Sequence, residues 1–346
     1  MQGAPRMRPL VIRCGAFGDM VLLTALLQQL KARFGGPVDV IASGPWSVPL
    51  LASQSCVGKV VVIHSRRTPY WLSSTKQALV KWLRARGAGP AWFCDSYPGV
   101  ELLARGGIPA DYICDSRDMT WVAGEHFVER WIRFAEQTPP ALAGRLPEAP
   151  RPSRRAAVIE IDTAARTALE GWLARRNLAG RRLTLIQAGN KRTTRLGLRK
   201  RGSNKKYWPE ARWAEVIRAV RAERPEHAIL LLGQRTECSL NLDIARLAGA
   251  VDVHNVADDL PIGRLLPLLE RAESLISVDT GPAHAAAALG CPTVALFGAA
   301  DPALYRPGGV DTPAIVVTGE FDGKRSIIGI SVQAVLDAWR SLAPAN

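Results

Sequence analysis

The feature of this sequence that most restricts its fold is an apolar run, a tight turn and an alanine-rich segment that follow one another near residue 280. Residues 274–276 have the character of a buried strand, and residues 285–289 that of a helix ended by Gly290. A strand that leads through a tight turn into a helix is typical of a parallel sheet covered by helices. Such a turn leads into the N-terminus of the helix, where free N–H groups and the positive end of the helix dipole favour an anion. The stretch therefore predicts a site for a sugar phosphate.

Apolar runs alternate with helical segments along the whole chain of 346 residues. We predict strands over residues 9–14, 38–42, 59–63, 158–161, 183–187, 228–233 and 293–297, and helices over 20–34, 163–176, 213–224, 240–248, 261–271 and 331–342. This alternation indicates an α/β fold, and the length exceeds what one ordinary core holds. The expected architecture is two doubly wound, Rossmann-like parallel-sheet domains that face a cleft.

A proline-rich segment marks the expected domain boundary. Residues 138–153 contain five prolines and few large apolar side chains, so we assign the linker region to residues 138–157. The N-terminal domain is then expected over 1–157 and the C-terminal domain over 158–329. The final amphipathic segment, within 330–346, is expected to pack back toward the N-terminal domain.

The composition of the chain limits its expected compartment and the ligands that it is expected to bind. The six cysteines form no C-x-x-C pair, and no signal peptide or bilayer-spanning run is present, so we expect a cytoplasmic protein. The net charge of +14 calls for an anionic partner, for which nucleic acid, a membrane face and a phosphorylated substrate are candidates. With no nucleic-acid-binding motif, we favour a phosphorylated substrate, together with peripheral contact with the inner face of the anionic cytoplasmic membrane.

Two aromatic residues lie beside two arginines at Arg66-Arg67 and Tyr70-Trp71. Ordinary core or loop packing explains most tryptophans in this half of the chain. The combination with adjacent cations also suits a glycolipid or a membrane surface, so both interpretations stay open.

A glycine-containing turn, residues 15–19, follows the first strand at the edge of the sheet where ligands bind. We expect Asp19, next to Gly18, at the N-cap of the helix over 20–34. An acidic N-cap is a common stabiliser. A carboxylate at this position can also take a proton from an acceptor hydroxyl, which is the alternative role.

Cations and hydroxyls after the strand over 183–187 suit a diphosphate. They begin with Thr193, Thr194 and Arg195 and continue through a basic loop to Lys206. Glu237 follows the next strand and is a candidate for ribose hydroxyls, or else a solvated residue at a helix start. No D-x-D spacing is present, so we expect no metal bridge, and cations with a helix end must neutralise a leaving diphosphate.

Three stretches together resemble the ADP-heptose:lipopolysaccharide heptosyltransferases, a family of inverting GT-B glycosyltransferases. They are residues 15–19, the Thr193-Thr194-Arg195 stretch with Lys206-Tyr207-Trp208-Pro209, and residues 277–284 with Phe297-Gly298 and Asp301-Pro302. The sequence departs from the shorter members of the family through ten residues, 196–205, inserted before Lys206. Lys205, Arg201 or Arg199 are therefore alternatives to Lys206.

The resemblance implies a role for each matched residue. Asp19 would be the general base, with Gly18 in the acceptor-side turn, and Lys206 would stabilise the leaving diphosphate. The donor would be bound by Thr193, Thr194, Glu237, Leu260, Asp279, Thr280, Gly281 and His284. The resemblance implies ADP-L-glycero-D-manno-heptose as co-substrate, with no metal or other cofactor, and a lipopolysaccharide inner-core hydroxyl as acceptor.

Other activities fit the same features. A transferase of this family with another nucleotide-sugar donor or a different acceptor would carry the same motifs. A sugar-nucleotide epimerase can share the two-domain fold and would turn over donor without an acceptor. A sugar-nucleotide binder without activity fits less well, because Asp19, Lys206 and His284 are all present.

Overall fold

The computed structural model describes residues 7–65, 67–95, 99–190, 204–309 and 312–342. The chain divides into two compact units, Met1–Glu160 and Ile161–Asn346. This division falls three residues after the boundary expected from the sequence, and it places the final helix in the second unit. Each unit is built around one parallel sheet, which agrees with the expected α/β class.

The first unit contains a five-stranded parallel sheet in the order β3-β2-β1-β4-β5. Its strands are β1 (Leu10–Arg13), β2 (Val38–Ala42), β3 (Val57–Val62), β4 (Ala91–Phe93) and β5 (Ile113–Asp115). The first strand lies in the middle, where Leu10 pairs with Asp39 on one side and Ala91 on the other. The chain therefore winds outward from β1 in both directions, which confirms the three strands predicted here and adds β4 and β5.

Helices pack on both faces of this sheet, and β1 and β4 are therefore buried on both sides. The helices are α1 (Phe17–Leu22), α2 (Thr24–Phe34), α3 (Ser47–Leu51), α4 (Ser74–Arg86), α5 (Val100–Arg105) and α6 (Phe127–Glu136). Leu10 and Ile12 pack against α4 and α5. On the opposite face, the Trp92 ring meets the Phe34 ring edge-on at 5.7 Å, and its indole N–H donates to the Phe134 carbonyl at 3.0 Å.

The helix predicted over residues 20–34 begins earlier and is divided. It starts at Phe17 and is interrupted at Leu23, whose N–H still donates to the Asp19 carbonyl at 3.0 Å. Asp19 therefore lies in the first turn, and Ala16 is the N-cap residue. The N-cap prediction for Asp19 was wrong because the helix begins two residues earlier, and the Ala16 carbonyl already accepts the Met20 N–H at 3.0 Å.

The predicted linker lies along the first unit, held by a buried arginine. The Arg33 guanidinium donates to the carbonyls of Ala135, Gln137 and Pro147 and to the Thr138 hydroxyl. The predicted strand over 158–161 was wrong, because side chains take its backbone N–H groups. Val158 donates to the Thr24 hydroxyl at 3.0 Å, and Glu160 donates to the Gln54 amide oxygen at 2.8 Å.

The second unit contains a six-stranded parallel sheet in the order β11-β10-β9-β6-β7-β8. Its strands are β6 (Arg182–Gln187), β7 (His227–Leu231), β8 (Val253–Asn255), β9 (Ser274–Val278), β10 (Thr293–Phe297) and β11 (Ala314–Thr318). A short antiparallel hairpin of β12 (Glu320–Phe321) and β13 (Lys324–Arg325) follows. The predicted strands over 183–187, 228–233, 274–276 and 293–297 are confirmed.

The predicted helices of the second unit are also confirmed, with bounds that differ by a few residues, and one short helix, α12, is added. The helices are α7 (Thr163–Arg175), α8 (Glu210–Glu223), α9 (Cys238–Ala248), α10 (Ile262–Arg271), α11 (Gly281–Ala288), α12 (Pro302–Tyr305) and α13 (Val332–Arg340). The final helix buries Val335, Leu336 and Trp339 in the core of this unit, and the Trp339 indole donates to the Ser274 hydroxyl at 3.1 Å. The expected packing toward the N-terminal domain stays a prediction.

The six cysteines are free thiols, and all except the half-buried Cys238 are buried. This agrees with the interpretation of these cysteines as small core residues. None of the helices in the described ranges has the length and apolar character needed to cross a bilayer.

Candidate functional site

The predicted strand, turn and helix around residue 280 are present as β9, a two-residue turn and α11. The Asp279 N–H still donates to the Leu296 carbonyl of the neighbouring strand at 3.0 Å, so the turn begins at the carboxyl edge of the sheet. Thr280 is extended and does not cap α11 with its side chain; its hydroxyl lies 3.1 Å from the Ser277 hydroxyl. The first-turn N–H groups of α11, beginning at Gly281, therefore suit an anion.

Asp279 lies beside two of the other predicted site residues, Lys206 and His284. Its side chain is only 8% exposed, and Oδ2 lies 2.5 Å from the Lys206 Nζ. The same amine donates to the Asp279 carbonyl at 2.8 Å. His284 Nε2 lies 3.8 Å from Asp279 Oδ1. The carboxylate thus fixes the amine of a residue 73 positions away at the start of α11.

The segment that carries Lys206 is held by its neighbours. The Asn204 side-chain oxygen accepts the Lys206 N–H at 3.2 Å. Two residues further on, Trp208 is 1% exposed and its indole donates to the Ile330 carbonyl at 3.1 Å. Gly298 meets the Lys205 carbonyl so closely that an added Cβ would lie 2.6 Å from that oxygen. The Lys-Tyr-Trp-Pro stretch is therefore anchored to the core of the unit through Trp208, while the Lys206 side chain is 37% exposed.

Glu237 lies in a narrow position between two glycines. Its side chain is 3% exposed, and Oε2 accepts the Gln234 N–H at 2.8 Å. A Cβ at Gly189 would lie 2.2 Å from Oε1, and one at Gly233 would lie 3.1 Å from the Glu237 Cβ. Oε1 is buried without a hydrogen-bond partner in the described part of the chain. Burial raises the pKa of the Glu237 carboxyl, because the charged form loses its hydration.

Leu260 is half-buried in the connection between β8 and α10. The residue before it is fixed, because the Trp172 indole donates to the Asp259 carboxylate at 2.8 Å and Arg264 pairs with it. These hydrogen bonds, with that from the Trp172 indole the strongest, lower the pKa of Asp259 to about 2. The predicted contact between Leu260 and adenine stays a prediction.

Two predicted phosphate-binding residues, Thr193 and Thr194, lie outside the described residues. So do residues 196–203 of the inserted basic loop, including Arg199 and Arg201. Lys205, its last residue, is described and exposed.

In the first unit, the predicted base lies at the carboxyl end of β1. Asp19 Oδ2 accepts the Ala16 N–H at 2.9 Å, and Oδ1 lies 3.7 Å from an Arg13 guanidinium nitrogen. The Asp19 side chain is 40% exposed. Gly15 is required beside it, since a Cβ there would lie 2.7 Å from the Asp19 Cβ. Gly18 lies in the first turn of α1, next to the carboxylate that it was expected to accompany.

Sequence reasoning missed a buried carboxylate in the same region. Asp95 is 4% exposed and accepts the Cys14 N–H at 2.7 Å, so it ties the end of β4 to the turn that carries Asp19. The only sequence signal was an acidic residue directly after the short apolar run of residues 91–94, which includes β4.

A basic cavity in the second unit was also missed. It has a volume of about 430 Å³ and is lined by Lys205, Lys324 and Arg325 together with the side chain of Phe321. Phe321 is 61% exposed. The hairpin that carries three of these residues is too short to leave a periodic signal in the sequence.

Comparisons with known proteins agree with this architecture. The chain is 31% identical over 102 residues to lipopolysaccharide heptosyltransferase 3 of Escherichia coli, a match that covers 30% of this chain and 30% of the relative. The glycosyl transferase family 9 structure from Veillonella parvula is similar with a TM-score of 0.78 and 17% identity, over 97% of each chain. The E. coli ADP-heptose lps heptosyltransferase II is similar with a TM-score of 0.72 and 21% identity, over 97% of this chain and 98% of the other.

The two structural similarities confirm the expected GT-B fold, with one parallel sheet in each unit. The family model described as glycosyltransferase family 9 (heptosyltransferase) matches residues 111–322, which is more than half of the chain. The chain belongs to glycosyltransferase family 9, the heptosyltransferases.

Proposed function

We propose that this protein transfers heptose from ADP-L-glycero-D-manno-heptose to a sugar hydroxyl of the lipopolysaccharide inner core. Membership of the family supports heptosyl transfer. The names of two similar proteins, a lipopolysaccharide heptosyltransferase and an ADP-heptose lps heptosyltransferase, suggest the donor and the acceptor. The observation that carries the proposal is the convergence of Lys206 and His284 on Asp279 at the start of α11.

The proposed reaction is a single displacement that inverts the anomeric carbon. The acceptor oxygen forms a bond to this carbon while the bond to the diphosphate oxygen breaks. Asp19 takes the proton of the acceptor hydroxyl, and ADP departs with its negative charge. Lys206 and the first-turn N–H groups of α11 stabilise that charge, so the proposed reaction uses no metal ion.

Each unit supplies one part of this chemistry. In the second unit, Thr280 and His284 lie beside the start of α11 and would bind the donor phosphates and sugar, with Thr193 and Thr194 as further phosphate ligands. The ionised form of Glu237 would accept ribose hydroxyl hydrogen bonds at its buried Oε1. In the first unit, the half-exposed carboxylate of Asp19 is open to an acceptor hydroxyl.

Calorimetric titration of the purified chain with ADP, GDP and UDP, with and without magnesium, tests the donor. We expect selective binding of ADP that magnesium does not change, because protein cations take the place of a metal. A preference for GDP or UDP would contradict the proposed donor while leaving the fold assignment intact. Loss of ADP binding on chelation of metals would contradict the metal-independent mechanism.

Glu237→Gln is expected to weaken ADP binding about tenfold and to stabilise the protein at neutral pH, because an amide accepts fewer hydrogen bonds and carries no buried charge. The pKa of Glu237 is raised in the folded state. The wild type is therefore most stable below the ordinary pKa of a glutamate and loses stability as pH rises through the raised value. The stabilisation by the substitution should fade at acidic pH, which urea unfolding at both pH values measures.

Glu223→Gln is the matched control in the same unit. Arg340 donates a hydrogen bond to Glu223 and thereby lowers its pKa. Its charged form is the more favourable one in the folded state, so the control should destabilise the protein at neutral pH, by an effect that fades as pH falls. ADP affinity should stay at the wild-type value. If Glu237→Gln left ADP affinity unchanged, the ribose assignment would be wrong.

A further inference from the structure

A long part of the first unit carries only positive charge. Residues 40–94 contain seven lysines and arginines and no aspartate or glutamate, although the chain has 31 acidic residues elsewhere. Random placement of acids rarely leaves so long a gap in a protein with ordinary charge content. The exposed surface of this segment suits an extended anionic partner, because the segment itself contributes no negative charge that would repel such a partner.

Two large apolar side chains project from the centre of this cationic part. Trp71 is 71% exposed and Leu72 is 70% exposed. They belong to a single 3₁₀ turn, Tyr70–Leu72, which directly precedes α4. Exposed apolar residues that stand alone need no explanation, but an adjacent tryptophan and leucine at the tip of one turn form a continuous apolar projection.

The turn is held firmly against the rest of the unit. The Leu72 N–H donates to the Pro69 carbonyl at 3.1 Å, and the Gln77 amide donates to the Trp71 carbonyl at 3.0 Å. The buried Lys76 amine donates to the Thr68 carbonyl at 2.6 Å, which fixes the segment before the turn. The turn therefore presents its apolar tip in one orientation.

The first residue of the turn, Tyr70, packs against the protein instead. Tyr70 packs against the hydrophobic core of the first unit, and the Arg105 guanidinium lies 4.9 Å from its ring centre. The chain thus packs one half-buried aromatic residue of the turn against the core and leaves the two neighbouring apolar side chains in solvent. Folding of the unit alone gives no reason for their exposure.

Exposed cations surround and extend this tip. Arg67 lies just before the turn and is exposed, and Lys81 and Arg84 lie three residues apart on the exposed side of α4. The same side of the helix is otherwise formed by Ser74, Gln77, Ala78 and Ala85, which are small or uncharged. The surface thus combines an apolar tip with a strip of positive charge.

We propose that this surface docks the protein onto a bilayer that contains anionic lipids. Trp71 and Leu72 would insert at the level of the head groups, and Arg67, Lys81 and Arg84 would contact the lipid phosphates. A protein partner is the weaker alternative, because two side chains provide far less apolar area than a stable protein interface buries. A tryptophan at the water boundary with cations around it is what a lipid head-group region accepts.

Sedimentation of the full-length chain with lipid vesicles tests the proposal. The wild type should bind vesicles that contain phosphatidylglycerol and not vesicles of phosphatidylcholine alone, and added salt should weaken the binding. Trp71→Ser with Leu72→Ser should lower the affinity at least tenfold, since the apolar tip is lost. Each of Arg67→Gln and Arg84→Gln should lower it about fivefold.

Leu242→Ser is the matched control, because Leu242 is a 55% exposed leucine of the second unit. It should bind anionic vesicles as the wild type does. Equal affinity of the Trp71 and Leu72 double variant and the wild type, or failure of the wild type to bind anionic vesicles, would overturn the proposal.

The docking surface and the proposed donor site are tested separately. The double variant should keep the wild-type affinity for ADP, measured by calorimetry, because Trp71 and Leu72 lie in the first unit and the donor residues in the second. A wild type that binds anionic vesicles but no ADP would remove the proposed donor and keep the docking surface. A wild type that binds ADP but not anionic vesicles would remove the docking surface and keep the proposed donor.

Discussion

Asp19→Asn is expected to bind ADP as tightly as the wild type and to transfer sugar about 10²–10⁴ times more slowly, which is the usual contribution of a general base. The substitution replaces a proton acceptor with a group of the same shape that cannot take a proton. The expected loss therefore lies in the rate of transfer at saturating donor and acceptor. We expect no loss in donor affinity, because the donor residues belong to the second unit.

The local structure makes this substitution a clean test. Asp19 Oδ2 accepts the Ala16 N–H, a hydrogen bond that the side-chain oxygen of asparagine can also accept. The contact to Arg13 at 3.7 Å is long and partly solvated, so its loss should cost little stability. Urea unfolding of the variant should therefore resemble that of the wild type.

Asp115→Asn is the matched control, since Asp115 ends β5 as a carboxylate paired with Arg117. Its transfer rate should stay within about twofold of the wild type, because Asp115 pairs with Arg117 two residues away and has no proposed role in proton transfer. Undiminished transfer by Asp19→Asn would show that another group is the base. Loss of ADP binding in that variant would show that the residue has a different function.

The longer strands followed from the sequence because each extends over five or six residues, of which three or four are apolar. β6 and β10 are of this kind. β4 and β8 have three residues each, and such short runs do not reveal a strand by their periodicity. They are strands because longer neighbours offer them a hydrogen-bonding edge, which is information from other parts of the chain.

Residues 158–161 show the opposite error. Their apolar pattern predicted a strand, but the Thr24 hydroxyl and the Gln54 amide take up the N–H groups of Val158 and Glu160. These partners lie 134 and 106 positions away, so no local pattern contains them. Tertiary hydrogen bonding here overrides a correct estimate of local preference.

The candidate site likewise has a part that local sequence predicts and a part that depends on distant residues. Asp279, Thr280, Gly281 and His284 lie within one short motif, so their proximity could be predicted from spacing alone. Which cation of the basic loop belongs to the site could not be predicted, because that depends on which of them reaches Asp279, 73 residues beyond Lys206 in the sequence. Among the described residues of that loop, the structure places Lys206 at Asp279 and Lys205 at the separate cavity beside β12 and β13.

Lys206→Met should therefore lower the transfer rate by about 10²–10³, the usual loss when one group that stabilises developing charge is removed. Methionine has a similar length and no charge, so the departing diphosphate loses a cation without a large change in volume. Lys205→Met is the matched control, with the same substitution at the adjacent position. It should keep the transfer rate within a few-fold of the wild type; an equal loss in both variants would mean that the positive charge of the loop acts as a whole.

Part of the activity loss in Lys206→Met comes from lower stability of the folded protein, and a second substitution removes that part. Without Lys206, the long contact to His284 is the one ion-pair contact that the buried Asp279 carboxylate keeps among the described residues, and an uncompensated buried charge costs about 3–5 kcal/mol of stability. Adding Asp279→Asn to Lys206→Met removes that charge and should restore most of the free energy of urea unfolding. Because the amine that faces the leaving group is still missing, transfer should stay slow in the stable double variant. Recovery of transfer together with stability would mean that Lys206 serves only to neutralise Asp279.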